Sequence, residues 1–122
     1  ILAILVSIAV PAYQDYSIRT EVSEGVHLAA TPKLAVSEAY NSDGNLPGSN
    51  AAAGYTFAAT SRVSDITIGA GGTVTITFSN SVPPPIRNQT LIYTPDVSAA
   101  GSVQWDCQQG NLGSSYRPSE CR

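Results

Sequence analysis

One histidine, His27, and two cysteines, Cys107 and Cys121, are the whole stock of soft metal ligands and easily activated nucleophiles in 122 residues. A zinc site needs three or four such ligands at short spacing, and no second histidine or spare thiol supplies them. His27 falls on a polar helix face beside Thr20, Ser23 and Glu24, where solvation explains it. Asp15, Glu21, Glu24 and Glu38 are close enough in sequence for paired acid–base work, yet the same wet face accounts for all four. Asp43-Gly44-Asn45 lacks the later ligands of a calcium loop. Gly69 to Gly72 lies between two strand-like runs, not between a strand and a helix where a phosphate would be cradled. Asn88-Gln89-Thr90 fits a glycosylation triplet, a pattern common by chance. The residue stock thus predicts no enzyme, no metal and no cofactor.

Charge narrows the partners. Six Lys and Arg against nine Asp and Glu give a net charge of −3, and the basic residues are scattered singly. Counterion release on nucleic acid needs a cationic face, so no dedicated nucleic-acid site is expected. Charged residues are 12% of the chain, about half the usual share. Ser and Thr take their place. Such a surface suits an exposed structural protein better than a cytoplasmic enzyme.

The cysteines have a different use. The stretch between Cys107 and Cys121 is mostly Gly, Ser, Asn and Gln, which does not order itself. A disulfide across it contributes about 3 kcal/mol by loop entropy and implies an oxidising compartment. A reduced chance pair is the bland alternative.

The elements that position these residues follow from hydropathy. Residues 1 to 14 carry no charge, and ten of the first thirteen are Ile, Leu, Val or Ala. As helix they reach about 20 Å, short of the ~30 Å hydrocarbon core. Three readings compete: a signal-peptide core, which lacks a basic start; an ordinary buried helix; or the back end of a membrane helix that begins before Ile1. The third fits best. Past Pro11, Ile18, Val22, Gly25, Ala29, Val36 and Tyr40 share one stripe, with Val26 and Ala39 at its edges. One long helix is therefore expected from Ile1 to about Tyr40, kinked or opened at Pro11 and Pro32. Asp15 and Arg19 form a favourable i,i+4 pair on it. Part of Ile1 to Val10 should lose regular helix when packed in an assembly, since Pro11 has no donor for the Ser7 carbonyl.

Asn41 to Asn45 stops the helix. Leu46 to Ser61 reads as loop. Ser64 to Ile68 and Thr73 to Ser79 alternate as strands about a Gly69–Gly72 hairpin turn. Pro83-Pro84-Pro85 reads as a stiff crossover, and Gln89–Thr94 and Ser102–Cys107 as two more strands. The expected core sets Ile18, Val22, Ala29, Val36 and Tyr40 against Ile66, Ile68, Val74, Ile76, Phe78 and Trp105.

The run Ile1-Leu2-Ala3-Ile4-Leu5-Val6-Ser7-Ile8-Ala9-Val10-Pro11-Ala12-Tyr13-Gln14-Asp15-Tyr16 closely resembles the amino-terminal helix of bacterial type IVa pilins. The likeness continues through Ile18, Arg19, Val22, Ser23 and Glu24, and in Gly44-Asn45-Leu46-Pro47. It covers about the first third of the chain residue by residue; beyond that it is architectural. Pro32 departs from the family's uninterrupted second half-helix. The family's processing site, methylated first residue and nearby glutamate fall upstream of Ile1, so no residue here takes those roles.

The resemblance implies an α+β fold: a long amino-terminal helix packed on a four-stranded antiparallel sheet, with a carboxy-terminal loop closed by Cys107 and Cys121. It implies two regions, an exposed hydrophobic polymerisation helix at 1–17 and a globular pilin domain at 18–122. Ile1, Leu2, Ile4, Leu5, Val6, Ile8 and Val10 would pack the filament, with Pro11 as helix break. The implied function is the structural subunit of a type IV pilus, a helical homo-oligomer supporting adhesion, twitching motility or DNA uptake. Such a subunit sits in the inner membrane before the pilus assembly machinery adds it, and is extracellular afterwards. The alternatives are a pseudopilin of a type II secretion system, often closed by a calcium loop instead of cysteines, and a secreted binding domain with a leftover signal segment.

Overall fold

A computed structural model describes residues 16–99 and 101–122. The packing residues Ile1, Leu2, Ile4, Leu5, Val6, Ile8 and Val10, the Pro11 break and the Asp15 pairing lie outside the described residues.

The amphipathic stripe is helical as expected, in two pieces: α1 (residues 16–28) and α2 (Ala30–Asp43). Pro32, third residue of α2, has no N–H for the Leu28 carbonyl and crowds it. Only Ala29 separates the two pieces, and the main chain still pairs through it: Ala29 N donates to Gly25 O at 3.0 Å and Lys33 N to Ala29 O at 3.1 Å. The helix thus continues across its proline. It ends where Gly44 turns left-handed (φ +75°) and returns its N–H to Tyr40 O at 2.8 Å, a cap that glycine adopts without a Cβ penalty.

Four strands follow: β1 (Val63–Ile68), β2 (Val74–Phe78), β3 (Thr90–Asp96) and β4 (Gln104–Gln109). They form one antiparallel sheet in the order β1-β2-β3-β4. The register Ile66↔Ile76↔Leu91 puts aliphatics side by side on the inner face, while Thr67↔Thr75 and Thr77↔Thr90 fall on the outer one. The helices cover the inner face. Ile18, Val22, Ala29 and Val36 are buried with Ile66, Ile68, Val74, Ile76 and Phe78, as the stripe predicts. Gly25 lets the helix close on Phe78 and Ile76, since an added Cβ there would meet Phe78 Cε1 at 2.8 Å.

Several expectations need correction. Tyr40 and Trp105 are only half-buried: each sits at the end of its element, where the opposing layer runs out. The Leu46–Ser61 loop holds a helical turn, α3 (Asn50–Ala53), started by Ser49 Oγ accepting from Ala52 N at 3.1 Å. Asn50 then bonds the edge-strand groups of β1, accepting from Ile68 N–H and donating to Ile66 O, which blunts an exposed sheet edge. The triple proline is no crossover. β2 and β3 pair directly, so Pro83–Pro85 stiffens a long hairpin connection ending in a 3-10 turn at Pro84–Ile86. Strand β3 also runs through Pro95, two residues past its last β2 partner, where the missing donor costs no ladder bond to β2.

Candidate functional site

The carboxy-terminal loop is the most elaborately held part of the described chain. Cys107 on β4 and Cys121 in the last 3-10 turn form a disulfide, with Cα atoms 4.8 Å apart. The cysteine pair therefore meets as its spacing suggests. Arg117, inside the loop, is buried at 8% exposure. Its Nε donates to Leu112 O at 2.8 Å, Nη2 to Gly110 O at 2.8 Å and Nη1 to Cys107 O at 3.5 Å. Main-chain carbonyls alone solvate this guanidinium, which suits its rigid fork of donors. Leu112 N in turn donates to Thr90 O at 2.9 Å, seating the loop on β3.

A second clamp ties helix to sheet. Lys33 of α2 holds its Nζ 4.3 Å from the Tyr93 ring centre and 5.9 Å from that of Trp105, a cation–π pair across the helix–sheet gap. Burial pushes the Lys33 pKa down, with Glu120 pulling the other way. Burial, helped by Glu120, pushes the Tyr93 hydroxyl up to about 12. Both shifts follow from packing of the lock.

The other candidates are dispersed. His27 and Glu38 are solvent-exposed on the helix. Glu21 and Glu24 pair with Arg62, at 3.5 Å and 3.1 Å. Among the described residues no group of three His, Cys, Asp or Glu comes together to hold a metal, and no described helix is long and apolar enough to cross a membrane. Sequence reading missed Lys33, Arg62 and Arg117. The one available signal was an arginine inside a cysteine-bounded polar loop, which has few other ways to fill its interior.

A split helix laid on an antiparallel sheet, with a disulfide loop wired to the last two strands, defines a structural module built to hold one shape. The model of the pilin family, a bacterial filament, matches residues 18–122, and the chain belongs to that family. It is similar to the fimbrial protein EcpC of Eikenella corrodens, 39% identical over 127 residues covering 100% of this chain and 82% of that protein. It is 35% identical to a fimbrial protein of Neisseria meningitidis serogroup B over 89% of this chain and 65% of the relative. Against the type IV major pilin protein PilE1 of Neisseria gonorrhoeae the identity is 39%, over 89% of this chain and 52% of the relative. The chain thus spans from about half to four-fifths of these relatives' length. It is a type IV pilin, a structural subunit.

Proposed function

We propose that this chain is the repeating subunit of a type IV pilus, with Ile1 to Val10 carrying polymerisation and residues 18–122 forming the outer domain. The observation that carries the division is a core that is filled by the domain's own residues: Val36, Ile66, Ile76 and Phe78 are fully buried between helix and sheet. The first ten residues add seven large aliphatics that need burial of their own. Burying each contributes about 1.5–3 kcal/mol. Copies of the same segment are one partner, and the inner membrane before assembly is the other. A heterologous contact that does not close then yields an open helical filament. The assembly machinery, and roles in adhesion, twitching or DNA uptake, come to this chain through its family resemblance. The relatives named above are all fimbrial or pilus subunits, which favours the pilus over the pseudopilin reading.

An Ile4→Asp variant tests it. Filament sedimentation should be abolished, since an unpaired charge in an apolar bundle costs several kcal/mol. On this division of labour the thermal midpoint of the domain should stay within about 2 °C. Normal filaments from the variant, or a collapsed domain, would overturn the division.

A further inference from the structure

The two flanks of α1 carry opposite charge at the same level. On the flank beside Arg62, which precedes β1, Tyr16, Ser17, Thr20, Glu21 and Glu24 line a cleft of ≈ 420 Å³. Two carboxylates face one guanidinium there, so the cleft stays net negative. Arg62 occupies Oε1 of both acids, and Thr60 Oγ1 donates to Glu24 Oε2 at 3.4 Å. Glu21 Oε2 is shielded from solvent and has no hydrogen-bond partner among the described residues, unusual for a carboxylate oxygen. Tyr16 is 72% exposed at this cleft, leaving a ring face on which a guanidinium can stack.

The opposite flank is basic. Arg19 and Glu21 are two residues apart, so their side chains leave the helix about 160° from each other. Arg19 and Ser23 line a groove against the carboxy-terminal loop that also takes in Arg117 and Arg122 and, among the described residues, is lined by no carboxylate side chain. Arg117 is spent on its three carbonyls. Arg19 Nε donates to Ser115 O at 2.9 Å and Arg122 Nε to Arg117 O at 3.2 Å. Each is thereby held by one end, and its Nη groups have no hydrogen-bond partner among the described residues. Donors fixed in place lose little entropy on binding.

Resting on the filament reading above, we propose that these flanks are the two halves of one contact between copies: Arg19 and Arg122 of one subunit enter the Glu21–Glu24 cleft of the next. An open polymer needs two different, complementary patches on one chain. Here they have opposite sign and lie back to back across α1, with net negative charge on one side and, on the other, guanidinium Nη donors that are unbonded among the described residues. A second copy is the occupant that satisfies both.

The test uses the full chain assembled into filaments. Ser17→Cys on the acidic flank and Ser23→Cys on the basic flank are combined, and filaments are treated with a short bis-maleimide. A ladder of covalent multimers is expected from the double variant, and monomers from either single variant. Dimers from a single variant would mean like flanks meet and overturn the pairing. Filaments that sediment without a ladder overturn it too, leaving the arginine groove to some other anion. If the unaltered chain forms no filaments, the pilus reading fails with it. A second variant, Arg19→Glu with Arg122→Glu, should cut filament yield at least tenfold while the domain's near-ultraviolet circular dichroism is unchanged. Unchanged yield would overturn the proposal independently of the cross-links.

Discussion

Gly25 shows how little room a single position has. A methyl there would lie 2.8 Å from Phe78 Cε1, 3.0 Å from Phe78 Cζ and 3.2 Å from Ile76 Cγ2, whereas one at Gly48 meets nothing within 4 Å. Alanine is the better helix former, so the substitution separates packing from propensity. Gly25→Ala is expected to cost about 1–3 kcal/mol by overpacking, and Gly48→Ala within about 0.5 kcal/mol, both read from denaturant midpoints. Arg117 is the polar counterpart. Arg117→Ala removes three bonds from a buried charge and strands the Leu112, Gly110 and Cys107 carbonyls, which should cost roughly 3 kcal/mol. Amide exchange at Leu112 should rise with it, although the disulfide stays closed. An unchanged exchange rate would mean the disulfide alone shapes the loop.

The sheet divides its labour by face. Ile76 is fully buried on the inner side, while its neighbour Thr75 faces outward between Thr67 and Ile92. Ile76→Ala should lower stability by about 2–4 kcal/mol through the lost contacts and the cavity. Thr75→Ala should change it by less than about 0.5 kcal/mol. Equal losses at both positions would mean the register is one residue out, because a single slip exchanges the faces. The helix pair obeys a similar logic at Pro32. The ladder bond to the Leu28 carbonyl is given up, yet Pro32 is itself buried, so the break is offset by packing.

Across the whole domain, alkaline pH reads out the helix-to-sheet lock. Tyr93 is raised from 10.0 to about 12 in the folded chain, so the folded state holds its proton longer than the unfolded state does. Its contribution to stability is complete below pH 10 and disappears between pH 10 and about 12. Lys33 acts with the opposite sign: its lowered pKa means stability rises with pH up to its ordinary value of 10.5. Tyr55, also raised by burial and by Asp65, adds to the alkaline loss. Tyr93→Phe keeps the ring beneath Lys33 and removes the titrating hydroxyl, which lies 4.0 Å from Cys121 Sγ. The variant should match the parent within about 1 kcal/mol at pH 8 and lose less stability from pH 10 to 12. Identical pH profiles in urea denaturation would show that Tyr93 is not buried as an acid.

The sequence by itself determined what repeats locally. The 3.6-residue stripe from Ile18 to Val36, the two-residue alternation from Thr73 to Ser79, the Gly44 stop and the paired cysteines are all legible because each is set by near neighbours. The amino-terminal run also carried the family, which the match over residues 18–122 then placed on the rest of the chain. Only the tertiary structure decided the long-range polar contacts. Arg62 reaches Glu24 across 38 residues and Asn50 reaches Ile68 across 18, separations at which the partners are adjacent only after folding. Arg117 in the cysteine loop, Lys33 over Tyr93, and the exposure left on Tyr40 and Trp105 belong to the same group. Each depends on where one layer ends above another, and hydropathy along a chain records which side is buried, not where the cover stops.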